Sequence, residues 1–207
     1  MITARRLLGV VAVLAIGWLA LRLFAPDGDI TNRRPASDLV LCFGDSLTFG
    51  TGAAEDQSYP AHLARLLGRR VINAGVPGDT TASALARLER DVLAHSPGIV
   101  CITLGGNDLK NGVSRAEAFA NLETIVRRVQ AAGALVVLVG IDPPLLGRGW
   151  ADGYRDLARR TGAVLIPNVY KGIMGRAELM SDPIHPNGRG YEVLARRVQR
   201  AISPYLP

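Results

Sequence analysis

Ser46 follows directly on the run Leu39-Val40-Leu41-Cys42 through Phe43-Gly44-Asp45. An apolar run of that length closed by a glycine predicts a buried strand ending in a tight turn. A hydroxyl placed there sits at a strand's carboxyl end, the edge at which open α/β sheets bind ligands. Serine becomes a useful nucleophile only when an imidazole removes its proton. The sequence has three histidines. His62 falls on a predicted helix and His95 in a turn at the opposite edge, which leaves His185. Asp182, three residues earlier, can reach the second ring nitrogen if Pro183 and Pro186 stiffen the turn, fixing the tautomer and stabilising imidazolium. Acyl transfer also builds negative charge on a substrate oxygen. The backbone N–H groups of Ser46 and Gly75 and the side-chain amide of Asn107 are candidate donors to it. Each residue alone has a plainer reading: a Gly-Asp-Ser turn, a φ-permissive glycine, an Asx turn at Asn107-Asp108. Taken jointly they describe a site.

For these residues to meet, the chain must bring four distant loops to one edge. Strands are predicted over residues 39–44, 71–74, 99–104, 134–141 and 163–166. Helices are predicted over 58–67, where Pro60 falls just inside the start, and over 80–94. Ser114-Arg115-Ala116-Glu117 reads as a capping box opening a third, which stops at Gly133. Two more cover 150–160 and residues from 187 or 188 to 202, and 48–57 reads as a loop. Five alternations of strand and helix predict a parallel sheet with helices on both faces. The strand ends at Asp45-Ser46, Gly75 and Gly106-Asn107-Asp108, with the segment Asp182–Asn187, then share one edge.

Length, charge and cysteine content set the bounds. The chain's 207 residues suffice for one full domain. Residues 7–21 carry no charge, follow Arg5-Arg6 and are extended past Arg22 by Leu23-Phe24-Ala25. Residues 1–25 are therefore expected to be a hydrophobic helix acting as a signal anchor, or else a signal peptide. The anchor is preferred because Leu23, Ala25 and Pro26 make a poor cleavage site. Residues 26–37 read as a linker and 38–207 as the catalytic domain. The expected location is periplasmic or otherwise extracytoplasmic, anchored to an inner membrane through residues 7–25. Of the net charge of +6, half comes from the first 34 residues. The domain's own +3, with both signs interspersed, excludes a phosphate-tracking stripe, so no nucleic-acid partner is expected. Cys42 and Cys101 lie inside predicted strands and read as buried thiols, with a disulfide as the alternative in an oxidising compartment. Neither has a partner at metal-ligand spacing; no metal and no cofactor are expected.

Gly44-Asp45-Ser46-Leu47, Gly75 in Asn-Ala-Gly, Gly105-Gly106-Asn107-Asp108 and Asp182-Pro183-Ile184-His185-Pro186 resemble the four ordered blocks of the SGNH, or GDSL, hydrolases. Tyr59-Pro60, Gly78-Asp79-Thr80 and Leu85-Ala86-Arg87-Leu88 make the chain most similar to the bacterial thioesterase, lysophospholipase and arylesterase branch. The resemblance covers residues 39 to 200. It implies a flavodoxin-like three-layer α/β/α sandwich with five parallel strands, Ser46 as nucleophile, His185 as base, Asp182 as its orienter, and an oxyanion hole from Ser46, Gly75 and Asn107. It implies an esterase acting on small-molecule esters, thioesters or lysolipids through an acyl-enzyme. A glycan O-acetylesterase is the alternative within the enzyme class. A glycan- or lipid-binding module that keeps the fold without turnover is another, as is a metallophosphoesterase using Asp45, Asn107, Asp182 and His185 as ligands. Leu109 with Pro143, Leu145 and Leu146 is expected to line an apolar acyl groove.

Overall fold

Three strands are nearly uninterrupted apolar runs, and each is buried along its whole length: β1 (Val40–Gly44), β3 (Ile99–Thr103) and β4 (Leu135–Val139). Burial on both faces is what such a run requires, and helices layered on each side of a parallel sheet supply it. β2 (Val71–Gly75) and β5 (Val164–Ile166) are less buried and form the two edges. The structure is a computed structural model that describes residues 29–142 and 149–206. All pairings are parallel, in the order β2-β1-β3-β4-β5. This is the order of a flavodoxin-like sheet, the fold that the family resemblance implies. It reverses direction between β1 and β3, so the loops leaving those two strands diverge and open a crevice at their carboxyl ends.

The helices are α1 (Ser46–Phe49), α2 (Tyr59–Leu67), α3 (Thr81–Asp91), α4 (Gly106–Lys110), α5 (Arg115–Ala131), α6 (Trp150–Thr161) and α7 (Gly188–Ile202). α2 packs on α7, while α3, α5 and α6 pack in a row, and the sheet lies between these two sets. Local chemistry fixes their ends. Ser58 accepts from the Ala61 N–H at the start of α2, and Gly68, with φ +63°, ends it. Asn187 accepts from the N–H groups of Arg189 and Gly190 and so caps α7.

Several boundaries differ from expectation. α3 stops at Asp91, and a 3₁₀ turn over Leu93–His95 finishes the segment. At Ser114 only half of the capping box forms, the side chain accepting from the Glu117 N–H. The reciprocal pair occurs instead at Thr80 and Ser83. Cys42 and Cys101 are register partners on adjacent strands, and both are buried free thiols.

The hydrophobic helix expected over residues 1–25 lies outside the described residues. Among the described residues no helix is long and apolar enough to cross a membrane. Within the stretch expected to be a linker, Thr31 donates its N–H to the Gly162 carbonyl, and the Asn32 amide donates to the Gln130 and Ala134 carbonyls. The chain is therefore docked from this point, at the edge where β4 and β5 begin, opposite the carboxyl ends of the strands.

Candidate active site

The turn that carries Ser46, the expected nucleophile, is built first by the sheet. Gly44 pairs with Gly75 of β2 and Thr103 of β3, so the chain leaves β1 between two neighbours. A Cβ at Gly44 would lie 2.2 Å from Thr48 Oγ1 and 2.4 Å from the Thr103 carbonyl oxygen, which excludes every side chain there. Asp45 turns its buried carboxylate back to accept from the Leu47 N–H at 3.0 Å, capping α1. Ser46 thus opens a helix, and an N–H at that position has no intrahelical acceptor and stays available. α1 was not anticipated from the sequence, where 48–57 read as loop. Four residues are too few to show a period.

His185, the expected base, arrives on a turn that organises itself. One carboxylate oxygen of Asp182 accepts from the N–H groups of Ile184 and His185, both at 2.8 Å. The other accepts from His185 Nδ1 at 2.6 Å. With Nδ1 donating, Nε2 is left to accept, and it lies 3.0 Å from Ser46 Oγ. Ser181 donates its N–H to the His185 carbonyl, closing the turn. Burial pushes the Asp182 carboxyl upward, but the His185 ring and the two amides outweigh it and hold the group below the usual carboxylate range.

The third group is Asn107, second residue of α4, another short helix missed from the sequence. Its Nδ2 donates to the Asp79 carbonyl oxygen at 2.8 Å, leaving one amide hydrogen uncommitted. Gly75 behaves differently from expectation. Its N–H already donates to Asn73 Oδ1 at 3.0 Å, so as an oxyanion donor it would have to exchange that partner. Its lack of a side chain is needed regardless, since a Cβ would lie 2.2 Å from the Phe49 nitrogen. Leu109 is half-buried against the core beside Asn107. Pro143, Leu145 and Leu146 lie outside the described residues.

Around these groups sit three aspartates, of which the sequence reading gave only Asp45 a possible role, as a metal ligand. Asp45, Asp79 and Asp108 are all buried. Burial pushes the Asp45 carboxyl up to about 7, the Leu47 amide pulls it back, and the Asp79 carboxylate adds to the rise. Asp108 accepts from both the N–H and the hydroxyl of Thr81, fastening α4 to the start of α3. Asp79 pairs with Arg87 at 2.6 Å. Both His185 nitrogens and one Asp45 carboxylate oxygen are hydrogen-bonded within the protein.

Residues 42–193 match the GDSL-like lipase/acylhydrolase family. The chain belongs to that family. It is 32% identical to the esterase TesA of Pseudomonas aeruginosa over 206 residues, covering 94% of this chain and 99% of that one. It is 31% identical to an arylesterase of Vibrio mimicus, covering 83% and 91%. Among solved structures, a crystal structure of TesA superposes with a TM-score of 0.77 at 32% identity, covering 81% of this chain and 99% of its own. The family carries the esterase activity, and with it this chain is a GDSL esterase.

Proposed function

We propose that the chain hydrolyses carboxylic esters and thioesters with medium or long acyl chains through an acyl-enzyme on Ser46. The observation that carries this reading is the unbroken line from Asp182 through His185 to Ser46, 2.6 Å and then 3.0 Å. Ser46 Oγ attacks the substrate carbonyl carbon while Nε2 takes its proton. The carbonyl oxygen gains the negative charge. It is met by the Ser46 N–H and the free hydrogen of the Asn107 amide, with the Gly75 N–H joining when it releases Asn73. The imidazolium, held by Asp182, then protonates the departing alcohol or thiol. Water repeats the sequence, its proton going to Nε2 and its oxygen to the acyl carbon, and Ser46 is regenerated.

Three exposed side chains support an apolar substrate. The large hydrophobic side chains standing exposed among the described residues are Phe49, Val76 and Ile184. Phe49 ends the helix that Ser46 opens, Val76 follows Gly75, and Ile184 lies between Asp182 and His185. Apolar surface is thus spent around the crevice, where a hydrocarbon chain would cover it. Extracytoplasmic placement is proposed from the sequence of residues 7–21, which reads as an apolar export-type or anchoring segment. Because Thr31 and Asn32 dock at the edge opposite Ser46, such a tether would leave the crevice open.

Turnover of p-nitrophenyl esters from acetate to palmitate, with acyl-thioesters alongside, tests the reading. Rates rising from acetate to octanoate or longer are expected. A clear acetate preference would contradict the medium-to-long-chain assignment and favour a glycan O-acetylesterase.

A further inference from the structure

The oxyanion amide of Asn107 is only as good as its orientation, and that orientation is controlled from outside the crevice. An Asn side chain presents either NH₂ or C=O depending on a half-turn of its last torsion, and only the NH₂ stabilises an oxyanion. Here the choice is made by the main-chain carbonyl of Asp79. It accepts from Asn107 Nδ2 at 2.8 Å and would repel the amide oxygen. Asp79 is itself held by its side chain. One carboxylate oxygen accepts from Ser83 Oγ at 2.8 Å and the other from Arg87 Nε at 2.6 Å.

Arg87 is fixed in turn on the nucleophile strand. Its Nη2 donates to the Gly44 carbonyl at 3.0 Å, two residues before Ser46, and its guanidinium lies 4.3 Å over the Phe43 ring. A third nitrogen reaches Asp91 at 3.0 Å. The Arg87 side chain is 9% exposed, so these contacts are made largely out of water, where charged hydrogen bonds are strong.

We propose that Arg87 is a positioning residue for the oxyanion site: braced against β1 at Gly44, it holds Asp79 so that the Asp79 carbonyl turns the Asn107 amide toward the tetrahedral intermediate. The proposal rests on the acyl-enzyme reading above. One planar cation thereby registers the strand that carries the nucleophile to the helix that carries a charge-stabilising donor. Lysine cannot replace it, having no fork to reach Asp79, Asp91 and Gly44 together.

The test is a kinetic double-mutant cycle between Arg87→Lys and Asn107→Ala, with Ser46→Ala as reference. On the wild-type background Arg87→Lys is expected to lower kcat about 10- to 100-fold with KM changed by less than about twofold, since the lost interaction belongs to the transition state. On the Asn107→Ala background the same substitution is expected to change kcat by less than about twofold, because the amide it orients is gone. A merely structural role would give the same fold-loss on both backgrounds. That result overturns the proposal, as does an unchanged kcat for Arg87→Lys when Asn107→Ala is crippled. Full activity in Ser46→Ala and Asn107→Ala would instead refute the acyl-enzyme reading itself. If Arg87→Lys does not fold, Asp79→Asn takes its place in the cycle. It keeps the main-chain carbonyl but weakens the hold on it, and the same loss of effect on the Asn107→Ala background is required.

Discussion

The two halves of the proposed catalytic line are held by opposite means. Ser46 sits where β1 emerges between β2 and β3, next to a buried Asp45 and against neighbours that leave no room for a Cβ at Gly44 or Gly75. His185 sits on a surface turn whose shape comes from Asp182 and two of the turn's own amides, and the Asp182 side chain is 44% exposed. The nucleophile is placed by the sheet as a whole, the base by a few residues that fold on each other. The backbone that carries Ser46 cannot take a side chain at Gly44 or Gly75 without disturbing the core, whereas the His185 turn can be altered with chemistry as the main casualty. The two aspartates show the same contrast in charge: burial raises Asp45, while hydrogen bonds lower Asp182.

The largest effect that would break or sharpen this contrast is loss of the reacting pair. Ser46→Ala and His185→Ala are each expected to lower kcat by about 10⁵ to 10⁶, with thermal melting unchanged within a few degrees. A collapse of the melting temperature in His185→Ala would show that the turn is not independent of the core. Asp182→Asn is expected to cost about 10² to 10⁴ in kcat. The lower figure applies if water, admitted by the exposure of this carboxyl, supplies part of the orientation. Gly75→Ala should cost roughly 10² in kcat, comparable to losing an oxyanion donor, because the added methyl must push Phe49 and the nucleophile helix aside. Unlike the turn variants, it should also melt at lower temperature, which differential scanning calorimetry would read.

The smallest effect on activity belongs to Asp45→Asn, whose informative readout is stability against pH. The unfolded Asp45 carboxyl ionises near its ordinary 3.8 and the folded one near 7. Between those values the unfolded chain has released a proton that the folded chain retains, so this group's contribution falls as pH rises, by on the order of 4 kcal/mol at most. Asp182 has the opposite sign: its lowered pKa adds stability above the unfolded value, and that gain is lost as pH falls through the folded one. Urea unfolding at pH 5 and pH 8 should show the decline flattened in Asp45→Asn, while an unchanged slope would contradict the burial argument.

How much of this was legible in the sequence depended on length and period. β1, β3 and β4 were readable because strands buried on both faces are written as unbroken apolar runs. The placing of Ser46 and Asn107 on one edge followed from the alternation, since parallel strands put their carboxyl ends together, while Asp182 and His185 reach Ser46 from the segment before the last helix. α1 and α4 were not readable. They have four and five residues, too few to show a period, and α4 is held in place by the distant contact of Asp108 with Thr81. The capping box at Ser114 had the right letters, yet the reciprocal bond formed at Thr80 and Ser83, where the N3 residue is a serine. The engagement of the Gly75 N–H by Asn73 could not be foreseen, because an edge-strand asparagine has many possible partners. Arg87 was invisible as a functional residue for a similar reason. Its contacts at Gly44 and Asp79 are 43 and 8 residues away, and nothing local marks a helical arginine as the brace between them.

The most direct test is to quench the enzyme in acid during steady turnover of p-nitrophenyl octanoate and weigh its peptides. An added octanoyl group on the peptide containing Ser46, absent from Ser46→Ala, is the predicted result. Continued turnover in Ser46→Ala, or an acyl group carried on another residue, would contradict the account.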